Sequence, residues 1–199
     1  MILAQFFYQR NTLQVAEDLI GKIIVRKQGD HLLKGIIVET EAYIGKEDSA
    51  CHAAKGKTKR TEIMFGEAGY AYVYFVYGMH YMFNIVTEKP AFPAAVLIRA
   101  IEPVAGIEKM ISNRNVSGKN LTNGPAKLCQ ALGINKSLNG INLTTGKKLW
   151  IEDQPQSADF FKQYFSSPEI GRGSRIGIDY AEPKDRDAKW RFFIKKSTS

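Results

Sequence analysis

The spacing of apolar and polar positions predicts a helix followed by two strands near the N-terminus. Residues 11–20 have apolar side chains at helical spacing behind Asn11, a residue type that caps helix N-termini. The runs 19–27 and 32–43 are rich in Ile, Leu and Val, and Gly29–Asp30 lies between them. Such runs around a short Gly-containing segment are typical of two strands joined by a turn.

The second of these strands carries acidic residues at alternate positions. Because side chains alternate between the two faces of a strand, the spacing predicts one face formed by Ile37, Glu39, Glu41 and Tyr43. A carboxylate on such a face would be partly desolvated, which raises its pKa. Glu41 is therefore a candidate catalytic residue. The alternative is an exposed edge strand whose glutamates pair with lysines.

Aromatic side chains are concentrated in residues 70–84, YAYVYFVYGMHYMFN, whereas they make up 11% of the whole chain. Two strand-like runs meet near Gly78, which favours a β-hairpin. A further strand-like run at 94–102 carries Arg99. Aromatic walls combined with the Glu41 carboxylate and the Arg99 guanidinium suit chemistry on a flat, electron-poor ring such as a nucleobase.

Tyr77 differs from the other aromatic residues because it falls at the predicted hairpin tip. A large ring at a tip has little to pack against, and proteins that open a duplex insert such side chains between base steps. For Tyr70, Tyr72 and Phe75, packing in the core is the favoured interpretation.

The rest of the chain predicts short, mixed elements. Helices are expected within 103–114 and 125–133, and strands at 147–153 and 174–180. The sequence shows no internal repeat and no linker. We therefore predict the α+β class, with a single domain built on a mainly antiparallel sheet.

Charge and composition narrow the class of partner. Lys and Arg number 28 against 20 Asp and Glu, which gives a net charge of +8 over 199 residues and favours a polyanionic partner such as nucleic acid. Two cysteines do not indicate a disulfide framework. No signal peptide and no apolar run of membrane-spanning length stand out. We expect a cytoplasmic protein with no membrane partner, associated with the nucleoid if it is bacterial.

Two basic segments could bind phosphate. The loop KGKTKR supplies Lys57, Lys59 and Arg60, and the segment GRGSR supplies Arg172 and Arg175. Each segment could equally be solvated surface.

The histidines do not indicate a metal site, because His31, His52 and His80 are widely separated in the sequence. His52 lies in the loop after the acidic strand and could reach the aromatic slot. Cys51 beside it raises the alternative of a thiol–imidazole pair. Adjacent side chains of an extended segment point in opposite directions, which disfavours that pair.

Several of these motifs, taken in order, are similar to those of the alkyladenine (3-methyladenine) DNA glycosylase family. They are ETEAY (39–43), His52, YVYFVYGM (72–79), Asn84, Arg99, NGPAKLCQALGI (123–134) and RIGIDY (175–180). The resemblance implies one glycosylase domain over residues 1–199, with a curved, mainly antiparallel sheet, surrounding helices and a protruding β-hairpin. The residues show neither a phosphate-binding Gly-rich loop nor a metal cluster, so no cofactor and no metal are expected.

The resemblance assigns roles to individual residues. Glu41 corresponds to the acid that activates water, and Arg99 to the residue that holds that acid and its water. The walls of the base pocket correspond to Tyr43, His52 and Tyr74.

Two further positions concern the DNA. Tyr77 corresponds to the side chain that intercalates in the minor groove, and Asn84 to a position that disfavours guanine. The implied enzyme is a monomeric, monofunctional glycosylase acting on double-stranded DNA that contains damaged purines. It would flip alkylated or deaminated purines out of the duplex and hydrolyse the N-glycosidic bond, leaving an abasic site for base excision repair.

Two other functions remain open from the residues alone. A metal-dependent nuclease could use Glu39, Glu41, Glu47 and Asp48 as ligands. A non-catalytic nucleic-acid-binding module could stack bases on the same rings.

Overall fold

One β-sheet dominates the structure, a computed structural model that describes residues 1–76, 78–153, 164–165 and 169–195. The described strands are β1 (Ile23–Gln28), β2 (His31–Ile44), β3 (Ala71–Val76), β4 (His80–Val86), β5 (Ala94–Ala105), β6 (Leu149–Glu152), β7 (Ile170–Gly173) and β8 (Arg191–Ile194). The described helices are α1 (Gln5–Tyr8), α2 (Thr12–Asp18), α3 (Ile107–Arg114), α4 (Pro125–Ala131) and α5 (Pro183–Arg186).

The strand pairing confirms the predicted class, α+β with a mainly antiparallel sheet. The order is β3-β4-β5-β2-β1-β6, and β8 also pairs with β2 and carries β7. Each of these pairings is antiparallel. Helices α2, α3 and α4 contribute to the main core, which contains Ala16, Met110 and Leu128. The long strand β2 therefore lies at the centre of the molecule.

The N-terminal prediction is confirmed in its order of elements, although the first strand begins at Ile23 and not at residue 19. The Asn11 side chain accepts hydrogen bonds from the backbone N–H groups of Leu13 and Gln14, which satisfies donors at the start of α2. Gly21 follows the helix with a φ of +87°, a conformation that glycine adopts without steric cost. The turn between β1 and β2 includes Gly29.

A paired irregularity in β2 and β5 corrects the predicted face of β2. The register passes from Ile37↔Ile101 to Glu39↔Ala100 and then to Thr40↔Ile98, so Val38 and Arg99 are each an additional residue in their strand. Such bulges change which face the following side chains occupy.

The consequence is that Ile37 does not share a face with the acidic residues. Ile37 and Ala42 both belong to the main core, and Thr40 donates a hydrogen bond to the Ala16 carbonyl of α2. Straight alternation would have placed Glu39 and Glu41 on the apolar face with Ile37. The bulge at Val38 separates them, because the apolar side chain goes to the core and the carboxylates go to the opposite face.

The aromatic segment forms the predicted antiparallel pair. Strands β3 and β4 are in register from Ala71↔Ile85 to Val76↔His80. Tyr77 lies outside the described residues, so its position and the protrusion of this hairpin stay predictions.

The strand predicted at 174–180 is wrong. These residues form bends and turns, and the strand lies just before them, at Ile170–Gly173. Gly177 has a φ of +77°, which an extended strand does not allow. The apolar side chains of the segment RIGIDY (175–180) instead pack near β2.

In the described ranges, no helix combines the length and apolar character that crossing a membrane requires.

Candidate active site

A cleft of about 500 Å³ opens on the face of the sheet opposite the main core. Strands β2 to β5 provide one part of its lining, and residues 50–64, residues 176–180 and Pro125 at the start of α4 provide the rest. Its aromatic lining residues are Tyr43, His52, Tyr72, Tyr74, Phe75 and Tyr180. A cleft of this volume is in the range of small-molecule sites, and its lining is suited to a flat ring.

Glu41 lies behind this lining with no exposed surface. Its Oε2 accepts hydrogen bonds from the Tyr43 hydroxyl at 2.9 Å and from Arg99 Nη1 at 3.2 Å. Its Oε1 accepts one from the backbone N–H of Ile176 at 2.7 Å. The carboxylate is thus held by three donors from three different segments.

Burial is the dominant influence on the Glu41 pKa. Desolvation raises this pKa, whereas the Arg99 charge and the hydrogen bonds from Ile176 and Tyr43 lower it. The net result is a pKa above the usual range for glutamate. A carboxylate of this kind is a stronger base than one at the surface.

Arg99 connects the two acidic residues of β2. In addition to its bond with Glu41, its Nε lies 3.4 Å from Glu39 Oε1, close enough for an ion pair but without hydrogen-bond geometry. Glu39 is also bound by Arg191 Nη1 at 2.9 Å. The bulge at Arg99 directs its side chain toward the cleft, so the two strand irregularities assemble this group.

His52 forms part of an aromatic wall with Tyr72 and Tyr74. Its Nδ1 lies 3.0 Å from the Tyr72 hydroxyl, and its ring meets the Tyr74 ring edge-on at 4.5 Å. Burial lowers the His52 pKa to about 4, with smaller contributions from Arg60 and Lys55. The imidazole is therefore neutral at pH 7.

Arg60 is in the cleft, although its sequence context suggested phosphate binding. Its guanidinium carbon lies 5.0 Å from the centroid of the Tyr74 ring, and its Nη2 lies 3.5 Å from His52 Nε2. Because a guanidinium only donates hydrogen bonds, this contact favours a lone pair on His52 Nε2 and a proton on Nδ1.

Asn84 is buried in the cleft lining on β4. Its Nδ2 donates a hydrogen bond to the Tyr72 carbonyl at 3.2 Å, which fixes the amide across the β3–β4 pair. Five predicted site residues, Tyr43, His52, Tyr74, Asn84 and Arg99, line this one cleft, and Glu41 is hydrogen-bonded to two of them.

Comparison with known proteins shows which family has this architecture. The profile of methylpurine-DNA glycosylase (MPG) matches residues 6–198. Curated relatives carry the name "Putative 3-methyladenine DNA glycosylase". One from Clostridium perfringens is 46% identical over 98% of this chain and 96% of its own length. One from Alkaliphilus oremlandii is 48% identical over the same shares, and one from Methanocella arvoryzae is 46% identical over 98% of this chain and 94% of its own.

The chain belongs to the methylpurine-DNA glycosylase family. This confirms the resemblance found in the sequence and the expected enzyme class, a hydrolase of N-glycosyl bonds in DNA with alkylated bases. It also identifies DNA as the substrate polymer.

The position of Arg175 contradicts its predicted contact with a DNA phosphate. Its side chain is fully buried and makes two hydrogen bonds to Asp48, at 2.6 and 2.8 Å. The guanidinium also lies 4.8 Å from the ring centroids of Tyr43 and Trp190. A group with this burial and these partners does not reach a phosphate, so Arg175 is a structural residue beneath the cleft wall.

The other predicted phosphate contacts lie on the surface. Lys57, Lys59 and Arg60 are exposed in the loop after His52. Arg172 is also exposed and forms a 2.6 Å ion pair with Glu17. These positions are accessible to DNA, and their contact with phosphate stays a prediction.

Sequence reasoning missed several contributors to the cleft. Tyr72 and Phe75 were expected in the core. Tyr72 is indeed buried, 2% exposed, although it also lines the cleft, whereas Phe75 lines the cleft and is 48% exposed. Tyr180 also lines it, 70% exposed, with its hydroxyl 3.2 Å from the Ala50 carbonyl. The Ile176 N–H carries no signal at all in the sequence, because every non-proline residue has one.

The two rival chemistries do not match the arrangement of the glycosylase cleft. Burial raises the Cys51 pKa to about 12, and His52 Nδ1 faces Tyr72, so the thiol–imidazole pair is absent. The proposed metal ligands are engaged separately, Glu41 by Arg99 and Asp48 by Arg175. Within the described ranges, no three His, Cys, Asp or Glu side chains gather as a metal site would require.

Proposed function

We propose that this enzyme is a monofunctional DNA glycosylase that flips damaged purines out of duplex DNA and hydrolyses their bond to deoxyribose. The observation that carries the proposal is the buried Glu41 carboxylate, held by Tyr43, Arg99 and the Ile176 N–H behind an aromatic-lined cleft. The product would be an abasic site, the substrate of the next step in base excision repair.

Glu41 acts as the general base. A carboxylate has about four lone-pair positions, and the three donors leave Oε1 able to accept one more hydrogen bond, which we assign to the attacking water. Because the carboxyl group has no surface exposed to bulk solvent, the water it polarises would be shielded. Arg99 and Tyr43 hold Oε2 and keep the carboxylate oriented toward the anomeric carbon.

The base is held by ring faces. We assign Tyr43 to one side of the flipped purine, and His52 with Tyr74 to the other. Stacking contributes about 1–3 kcal/mol per base, and extrusion costs a few kcal/mol, least for a damaged base. Asn84 meets the edge of the base, where a guanine amino group would be disfavoured.

Alkylated purines are favoured by their leaving-group chemistry. A purine made cationic by alkylation departs without protonation, whereas a deaminated purine such as hypoxanthine needs a proton on the leaving base. His52 is neutral at pH 7, with its Nδ1 facing the Tyr72 hydroxyl, so it is a poor acid for this purpose. We propose both classes as substrates, with slower excision of the deaminated class.

The duplex is engaged by Tyr77, which follows β3 in the sequence, and by exposed basic residues. We assign Tyr77 to the place vacated by the flipped base, and Lys57, Lys59 and Arg172 to the phosphates. The enzyme acts as a monomer on damaged double-stranded DNA. The cytoplasm, with its nucleoid, is the proposed location.

Hydrolysis, rather than strand cleavage, is the expected outcome. The described lining of the cleft contains no lysine that could form a Schiff base with the sugar. The decisive experiment is single-turnover excision on duplexes that each contain one lesion, with and without a chelator. Release of free base and an intact abasic strand, unaffected by the chelator, is expected. Backbone cleavage that the chelator abolishes would refute the proposal.

A further inference from the structure

The cleft contains a positive charge that the catalytic scheme does not use. Arg60 lines the cleft with its guanidinium carbon 5.0 Å from the Tyr74 ring centroid and its Nη2 3.5 Å from His52 Nε2. Among the described residues, no carboxylate forms an ion pair with Arg60. Its charge therefore acts on whatever enters the cleft.

A purine stacked on Tyr74 cannot avoid this charge. Stacked rings have centroids about 4.5–7 Å apart, so the base lies within about 12 Å of the guanidinium whichever face of Tyr74 it uses. At low ionic strength, where the Debye length is about 30 Å, unit charges at that distance still interact appreciably. A cationic base is repelled, and a neutral base of the same shape is not.

We propose that Arg60 is a specificity-determining residue that lowers the affinity of the cleft for cationic purines relative to neutral ones. This inference rests on the proposed function, in which the cleft receives the flipped base. Ring faces attract a cationic base, and Arg60 offsets part of that attraction. The result is a cleft that accepts neutral and charged lesions with more similar affinities than its aromatic lining alone would give.

The test compares two lesions that differ in charge and not in shape. Duplexes carry 3-methyladenine, which is cationic, or its neutral 3-deaza isostere at the same position. A 2′-fluoro group on the lesion sugar disfavours positive charge at the anomeric carbon and so keeps both duplexes intact. The ratio of the two dissociation constants is measured for the unaltered enzyme and for Arg60→Met.

For Arg60→Met we expect the ratio to move about 3–10-fold in favour of the cationic lesion. Arg60→Lys keeps the charge and should leave the ratio near that of the unaltered enzyme. Lys59→Met removes the same charge from the neighbouring surface position, so it should weaken binding of both duplexes equally. Because Arg60 is exposed, the variants should fold, and circular dichroism verifies this.

The results distinguish a failure of the Arg60 role from a failure of the proposed function. A ratio that Arg60→Met leaves within about twofold, or that Lys59→Met moves as much, overturns the role of Arg60. If the unaltered enzyme binds neither lesion more tightly than undamaged DNA and excises no base from unfluorinated duplexes, the proposed function fails and the role of Arg60 fails with it.

Discussion

Burial gives Glu41 properties that the same side chain lacks at a surface. Its carboxyl group has three hydrogen-bond donors and no contact with bulk solvent. The donors stabilise the ionised form, while desolvation disfavours it. A group in this balance is held in one orientation and is a stronger base than a glutamate at the surface.

Replacing Glu41 by Gln should separate binding from chemistry. The amide keeps the size of the side chain but cannot accept a proton, so we expect lesion binding to be retained and single-turnover excision to fall by about 10²–10⁴-fold. The measurement pairs a binding assay with quenched-flow excision on the same duplex. Excision that stays within a few-fold of the unaltered rate would show that Glu41 is not the base.

The pH dependence of excision should report the raised Glu41 pKa. The ionised carboxylate is the active form, so the rate should fall as the pH drops through this pKa, at a pH above the usual glutamate value of about 4.3. Using 3-methyladenine avoids protonation of the leaving group.

A variant of Arg99 gives a second test of the pH dependence of excision. Because the Arg99 charge lowers the Glu41 pKa, Arg99→Gln should move the midpoint to a still higher pH. A midpoint that stays unchanged or moves lower in Arg99→Gln contradicts this coupling.

The role of Tyr77 can be tested by comparing binding to double-stranded and single-stranded DNA. Tyr77→Ser should weaken binding to a lesion in duplex DNA far more than to the same lesion in a single strand, because only the duplex has a gap to fill. Fluorescence anisotropy on the two substrates gives the comparison. Equal weakening on both would exclude intercalation.

Strand β2 is the element that organises the cleft. The Asp48–Arg175 ion pair stabilises the position of its C-terminal end. Arg175 is stacked between Tyr43 and Trp190, and the next residue donates the Ile176 N–H to Glu41. Asp48 also accepts hydrogen bonds from the backbone N–H groups of Ile44 and Ala50. The pair thus joins the end of β2 to the loop before β8.

Asp48→Asn should destabilise the protein strongly, because it leaves the Arg175 charge buried without an opposite charge. Loss of one partner of a buried ion pair costs about 3–5 kcal/mol, which urea denaturation measures. The matched control is Asp187→Asn, which removes an exposed partner of Arg186 and should leave the free energy of unfolding nearly unchanged. Equal losses for the two variants would mean that burial of the Asp48 pair is unimportant.

Sequence periodicity predicted the elements that are marked by local signals. The helix after Asn11 has an apolar stripe and a standard cap, and the strands β1 and β2 are apolar runs joined by a Gly-containing turn, so local rules were sufficient to place them. The same rules failed at Ile37, since an additional residue in each of two paired strands is a property of the pair. They failed at 174–180 because those residues bind to β2, which lies far away in the sequence.

The candidate site was predictable in its residue types and less so in its contacts. Glu41, Tyr43 and Arg99 were found from the motifs that carry the family resemblance. Arg175 was misassigned because a polar, Gly-rich segment usually lies at the surface, and only the fold reveals Asp48 beside it. Arg60 belongs to a Lys-rich loop and gave no sign that its side chain turns toward Tyr74.

For the protein as a unit, the net charge of +8 should make DNA affinity depend steeply on salt. Each lysine that neutralises a phosphate contributes about −0.9 to the slope of log affinity against log salt. Lys57→Ala and Lys59→Ala should each make the slope shallower by about one unit. Lys27→Ala, on the exposed side of β1, should not change it. Equal effects at all three positions would indicate only diffuse electrostatic attraction.

The extra residue at Val38 makes catalysis depend on an irregular strand pairing that composition does not show. If β2 kept plain alternation through Val38, Glu41 would turn toward the space under α2 and Thr40 would face the substrate. All reactive groups would still be in the polypeptide, yet the acid would point the wrong way. The direction of the acid is thus set by a local mismatch between two paired strands, which every motif leaves unrecorded.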